Sequence, residues 1–397
     1  MRRRRASGAS LVLLAGLSAC ADGGSPAGDG GVSVQDSAGI RVVDLVPAEL
    51  PERSLAADPT WSFASITTSA GSHELSGVRV RPLAAGRLAI AEGSTRSLWL
   101  GEPAGSSWVG VAGRGDGPRE LQRVSGMSLD ADGSVWIQDG ARLRALQFSP
   151  EGDFLGSLDF GEVGWRGPNW SVRSGAHYFL GSGGGAGPSD RGVFRTEAPL
   201  VRLDASGAAD TLGSIPASEW YTTDRIAGGP FVSPRSEGAG ALEGHWVGDQ
   251  AESRIARWTR GPAPAVIVRW PHVDRPMEAL GDSMRRLVVA NAAPEQMTGE
   301  IRATIEGIPV SESPPQFIGL VPRGDGGVMV GPFWARAPVP QQRPAGDWFG
   351  VTAAGDPLAR IRLPQGFEPH WFEVDHVIGV MTDELGRESV QRWEIVN

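Results

Sequence analysis

The side chains best able to do chemistry are one cysteine, Cys20, and six histidines: His73, His177, His245, His272, His370 and His376. No His-Glu-x-x-His motif occurs and no second cysteine is present, so sequence spacing offers no zinc site. All 37 basic residues are arginine. The chain therefore lacks the phosphate-loop lysine, the Schiff-base nucleophile and the lysine general base. Asp130-x-Asp132-Gly133 matches part of a calcium loop but lacks the third ligand and the distal glutamate, and it is read as a turn. Gly181 to Gly187 fails the Gly-x-Gly-x-x-Gly spacing, and no Gly-x-Ser-x-Gly elbow is found. Arg114-Gly115-Asp116 and Arg323-Gly324-Asp325 repeat an adhesion tripeptide in residues that turns also require. No catalytic residue, cofactor or metal is expected from these motifs.

Cys20 has the clearest context. Arg2 to Arg5 form a positive region, Leu11 to Leu17 a short apolar core, and Leu17-Ser18-Ala19-Cys20 follows. The apolar run is too short to span a bilayer. Its close resembles the lipobox of bacterial lipoproteins, which implies cleavage before Cys20 and a diacylglycerol on its sulfur; the bland alternative is a secretory signal with an incidental cysteine. Residues 1–19 are thus expected as signal peptide and 20–37 as a flexible tether. Asp22 sits one place beyond the usual inner-membrane retention aspartate, which points to the outer membrane of the cell envelope. Removing four arginines takes the formal charge from -9 to -13. That acidity, with a pI near 5.3, opposes nucleic acid as a partner. With no disulfide available, burial must stabilise the domain.

The elements that must position any site are short and numerous. The 397 residues include 56 glycines and 30 prolines, which favours turns between extended segments and an all-β fold. An apolar run, a glycine turn and a second apolar run recur around Gly86, Gly133, Gly175, Gly244 and Gly326, and without the glycine near His376. Each is followed by another strand and a second turn, as at Gly152, Gly207 and Gly355. Two hairpins make four strands, and where nothing is inserted the spacing approaches the period of about 40 to 50 residues typical of propeller blades. Six such units fit the chain.

The unit from Gly113-Arg114-Gly115-Asp116-Gly117-Pro118-Arg119-Glu120-Leu121 through Val135-Trp136-Ile137-Gln138-Asp139 resembles an NHL repeat, with Leu121 in place of the usual phenylalanine. Across residues 38–397 the order of elements is similar to that of bacterial NHL- and TolB-like propeller lipoproteins. The resemblance implies a six-bladed β-propeller. Met277, Leu280, Met284, Leu287 and Val288, then Met297, Ile301 and Ile305, recur at helical spacing, so a helical insertion is expected at about 274–312, between blades four and five. It would act as a lid or simply pack on the rim. Gly39 to Leu45 reads as a strand that pairs with the last blade and closes the ring.

Residues entering the innermost strands would meet at the mouth of the channel: Arg79, Arg123, Arg173, Arg235, Gln316 and His370. As a set they favour an anion. The 14 tryptophans are spread over all units and read mostly as core, with Trp165 and Trp170 in a connecting loop as exceptions. The absence of a catalytic constellation favours a non-enzymatic, monomeric module that binds an envelope protein, peptide or glycan while anchored to the membrane. A metal-dependent lactonase or hydrolase using the channel, as some six-bladed propellers resemble, is the alternative, and a structural assembly subunit a third.

Overall fold

A computed structural model describes residues 31–397 apart from 70, 104, 106–107, 162–169, 174, 181–191, 205, 223–226, 229, 233–234, 241–243, 292–297 and 334–342. Cys20, the signal segment, Trp165 and the Gly181 to Gly187 run lie outside the described residues, as do the side chains of Trp170 and Arg173. The fold is mostly β. Five antiparallel meanders of four strands each follow one another: Val78–Arg114, Val124–Asp159, Trp170–Thr222, Ser236–Arg269 and Phe317–Leu363. A sixth unit, Phe367–Val396, supplies three strands of its own.

Alternation along these strands gives each sheet two apolar faces, and neighbouring units share them. Ala89, Leu98 and Leu100 of the first unit pack with Met127, Val135 and Ile137 of the second. Trp136 and Phe160 then meet Val172 and Phe179. Tyr178 and Leu200 meet Val247, Trp246 and Ile255 meet Phe317 and Val330, and Met329 and Trp348 meet Phe367 and Phe372. Ile378 and Val390 of the sixth unit return to Val80 and Ile90 of the first. The cores thus form a closed cycle. The first strands of the units follow the same order: Val78–Pro82, Val124–Leu129, Trp170–Arg173, Ser236–Gly240, Phe317–Pro322 and Phe367–Phe372, each beside the next and the last beside the first.

Local chemistry sets the turns. Gly133 has φ of +83°, a conformation that costs other residues a Cβ clash, and its N–H donates to Asp130 O at 3.1 Å. Asp139, which ends the second strand of the NHL-like unit, accepts from the N–H groups of Gln122, Arg123 and Ala141 at 3.1 to 3.2 Å. Its buried carboxylate pins the loop that enters the innermost strand. Glu92 does the same in the first unit, accepting Ser76 N at 3.0 Å.

The N-terminal strands correct the expected closure. β1 (Val32–Ser37) and β2 (Ile40–Leu45) form a hairpin, so β1 begins inside the stretch read as tether. β2 runs parallel to Val266–Arg269, the outer strand of the fourth unit, and not to the last unit. The reason is burial: Val43 and Leu45 join the core that contains Val266 and Val268. β3 (Glu52–Leu55) pairs with the outer strand of the fifth unit and with Glu388–Val396 of the sixth. β4 (Trp61–Phe63) then supplies the missing fourth strand of the sixth unit. Two helices, α1 (Met277–Asn291) and α2 (Gly299–Glu306), lie between the fourth and fifth units, and Thr298 Oγ1 caps α2 by accepting Ile301 N at 3.2 Å. No described helix is long and apolar enough to cross a membrane.

Candidate functional site

One polar cavity of about 140 Å³ is lined by the first strands of all six units: Arg79 and Arg81 of the first, Ser125 to Leu129 of the second, Ser171 of the third, Gly238 to Gly240 of the fourth, Leu320 and Pro322 of the fifth, and Trp371 of the sixth. Period-2 alternation explains the arginines. Val78 and Val80 face the core, so Arg79 and Arg81 must face the channel. A second cavity of about 220 Å³ opens beside it between the last three units, with Arg235, Glu237, Arg343 and Glu368 among its lining residues.

The charges are unevenly matched. Arg235 pairs with Glu237, and Arg343 with Glu368. Arg81 donates to Val80 O and His370 O, both at 2.9 Å, with its guanidinium 5.9 Å from the Trp371 ring centre. His370 Nδ1 accepts the Val80 N–H at 3.2 Å, tying the sixth unit to the first. Burial pushes His370 down to about 4; Glu368 opposes this, and Arg81, Arg79 and Arg343 reinforce it. Burial also lowers the Arg79 pKa, against the pull of Glu368. For Glu368, desolvation disfavours the carboxylate, but His370, Arg343 and Arg79 outweigh it and hold the group below the usual range.

Of the six residues read from sequence, the structure brings Arg79 and His370 together at the first and sixth units and sets Arg235 at the adjoining cavity. Arg123 is exposed, and its guanidinium donates to Gly140 O at 2.7 Å, outside both cavities. Gln316 is buried; its amide group is bonded to Pro314 O, Val273 O and N, and Ser253 Oγ, fastening the chain that leaves the fourth unit. Arg173 occupies the third unit's first strand, opposite Ala176. Arg81, Ser125, Glu237, Arg343 and Glu368 were not singled out. The pattern Val-Arg-Val-Arg at 78–81 and Glu-x-His at 368–370 held the signal for two of them, since residues two apart share a strand face.

Among the described residues, Ser171 and His245 present the one nucleophile-and-base geometry at the channel wall. Their Oγ and Nδ1 are 2.7 Å apart, and both residues are buried. Burial pushes His245 down to about 3, and among the described residues its Nε2 has no partner. An imidazole so disfavoured as a cation, with no carboxylate bonded to it among the described residues, is a poor base for the serine. The bond joins the third unit to the fourth. Neither adhesion tripeptide is presented freely: Arg323 is buried and bonded to Asp325 at 2.9 Å, while Asp116 pairs with Arg142. Among the described residues no three His, Cys, Asp or Glu side chains are grouped to hold a metal ion.

No protein-family model matches the chain, and no curated protein matches it. Solved structures with some likeness include a member of the DUF4221 family from Bacteroides vulgatus, at 9% identity and TM-score 0.48 over 88% of this chain and 99% of the other. Virginiamycin B lyase from Staphylococcus aureus aligns at 11% identity and TM-score 0.40, covering 81% and 95% of the two chains. The β-propeller domain of Swd1 from Myceliophteria thermophila aligns at 10% identity and TM-score 0.39, covering 85% and 98%. No chemistry is carried over from these proteins.

Proposed function

We propose that this chain is a six-bladed β-propeller with a helical insertion between blades four and five, held at the cell envelope by lipid on Cys20, and that it works as a non-enzymatic binding module. Its ligand is an envelope protein, peptide or glycan that presents a polar group to the channel mouth. The observation that carries the reading is the convergence of all six first strands on one polar cavity. Such a site reads a ligand from six directions while each wall is fixed by its own sheet. The paired charges of the adjoining cavity, Arg235 with Glu237 and Arg343 with Glu368, supply a rim that discriminates by charge pattern.

A photo-cross-linking residue placed at Ser125, on the cavity wall, tests this against the same residue at Leu385, which is 78% exposed on a remote turn. In intact envelopes the Ser125 probe is expected to give a discrete adduct that the Leu385 probe does not. Identical adducts from both sites, or none from Ser125, would overturn the proposal.

A further inference from the structure

We infer that the six-strand cavity is an oxyanion site organised by Arg79, taking one phosphate-, sulfate- or carboxylate-sized group of the molecule bound there. The inference rests on the binding reading above and adds the chemistry of recognition. Among the described residues, the Arg79 guanidinium makes no hydrogen bond and no ion pair. Its neighbours are engaged: Arg81 with two carbonyl oxygens, Arg235 with Glu237 and Arg343 with Glu368. A guanidinium keeps its proton at any accessible pH and presents a planar fork of donors suited to two oxygens at once. Half-buried and offset only in part by Glu368, which is itself paired with Arg343, it is costly, and a bound anion relieves that cost.

The cavity is shaped for such a group. No described carboxylate lines it; Glu237 and Glu368 belong to the adjoining cavity. Gly126, Gly238 and Gly240 put backbone on its wall; at Gly238 and Gly240 a Cβ would crowd His245 Nε2 at 2.3 Å and Ser171 Cβ at 3.0 Å. At about 140 Å³ it holds a tetrahedral oxyanion with a water or two, since a water takes about 30 Å³. The protein is acidic overall, so an anion would reach this spot for local reasons and not through net charge.

Glu368 acts as the internal competitor, because it offsets the Arg79 charge and occupies Arg343. Two variants should therefore move affinity in opposite directions. Titration of the full-length protein with inorganic phosphate, at ionic strength held constant with chloride and read by calorimetry, is expected to saturate. Arg79→Ala should weaken phosphate by about 10-fold or more, the loss of a charge-assisted bidentate contact. Arg79→Lys should weaken it less, Glu368→Gln should tighten it, and Arg119→Ala, at an exposed site, should change nothing. Parallel titrations with sulfate and acetate rank the phosphate, sulfate and carboxylate sources. Should Arg79→Ala fail to fold, tightening by Glu368→Gln still supports the site, and no change in Glu368→Gln counts against it. No saturable phosphate binding by the wild type, or equal binding by Arg79→Ala, overturns the inference. A specific Ser125 adduct alongside that failure would leave the binding module standing and remove only its oxyanion site.

Discussion

Trp61 lies directly opposite Arg392 across the ladder that joins β4 to the last strand of the chain. Phe63, two residues on, faces the same way and packs with Trp61 in the core shared by the sixth and first units, at 5.6 Å from the Trp108 ring. Trp61 and Phe63, and not the more strand-like Ile40 to Leu45, thus add the outer strand that covers the core where Ile378 and Val390 meet Val80 and Ile90. Phe63→Ala should therefore cost about 2 kcal/mol, roughly half of a fully buried phenylalanine truncation. Urea unfolding checks this through a lower midpoint with unchanged slope. Truncating Val34 of β1, which is 48% exposed, should cost under about 0.5 kcal/mol.

Acid should loosen the fold before it titrates most carboxylates. Burial holds His177 and His245 near 3 and, with the nearby arginines, His370 near 4, whereas an unfolded histidine titrates near 6.5. Below pH 6.5 the unfolded chain takes up protons that the native chain refuses, so stability falls as pH falls. For each histidine the slope approaches about 1.4 kcal/mol per pH unit and ends only near its native pKa. Denaturant midpoints between pH 7 and 4.5 should show this decline. His245→Gln, which keeps an acceptor for Ser171, should reduce the slope by one proton; an unchanged slope would contradict the assignment of a neutral buried imidazole.

Two turn glycines separate backbone strain from steric clash. Gly386 has φ of +79° with open space where a Cβ would sit, so Gly386→Ala should cost about 1 kcal/mol. Gly244 has φ of +93°, and a Cβ there would meet Trp258 O at 1.8 Å. Gly244→Ala should cost several kcal/mol, because backbone must move between two hairpin strands. Thermal unfolding of the two variants side by side gives the comparison, and equal losses would contradict it.

The anchor is tested by Cys20→Ser. In a host that lipidates exported proteins, wild type is expected in the membrane fraction with incorporated fatty acid. Cys20→Ser should appear in the soluble envelope fraction, unlabelled and still folded. Labelled Cys20→Ser protein would contradict lipid attachment at that sulfur.

Much of the architecture was legible because it repeats. Glycine turns at Gly86, Gly133, Gly175, Gly244 and Gly326 all have positive φ, and a residue pattern that demands that conformation can be read without coordinates. The strand-ending Asp139 was legible as a motif, while its work, holding the loop before Val124, needed the hydrogen bonds. Closure was misread since a three-residue strand such as Trp61 to Phe63 has too few positions to show a period, whereas Ile40 to Leu45 would suit any open sheet edge. At the channel, Arg79 could be found from its place at the start of an innermost strand, and His370 from its place within one. Arg343 could not: its partner Glu368 is brought to it only by the packing of the fifth unit on the sixth.

The central claim, that the six first strands build a ligand site around Arg79, is tested most directly by anomalous diffraction from crystals of the protein grown with selenate. One selenium peak is expected in the channel, within hydrogen-bonding distance of the Arg79 guanidinium, and it should vanish in Arg79→Ala. An empty channel with selenate only on outer arginines, or the same channel peak in Arg79→Ala, would contradict the account.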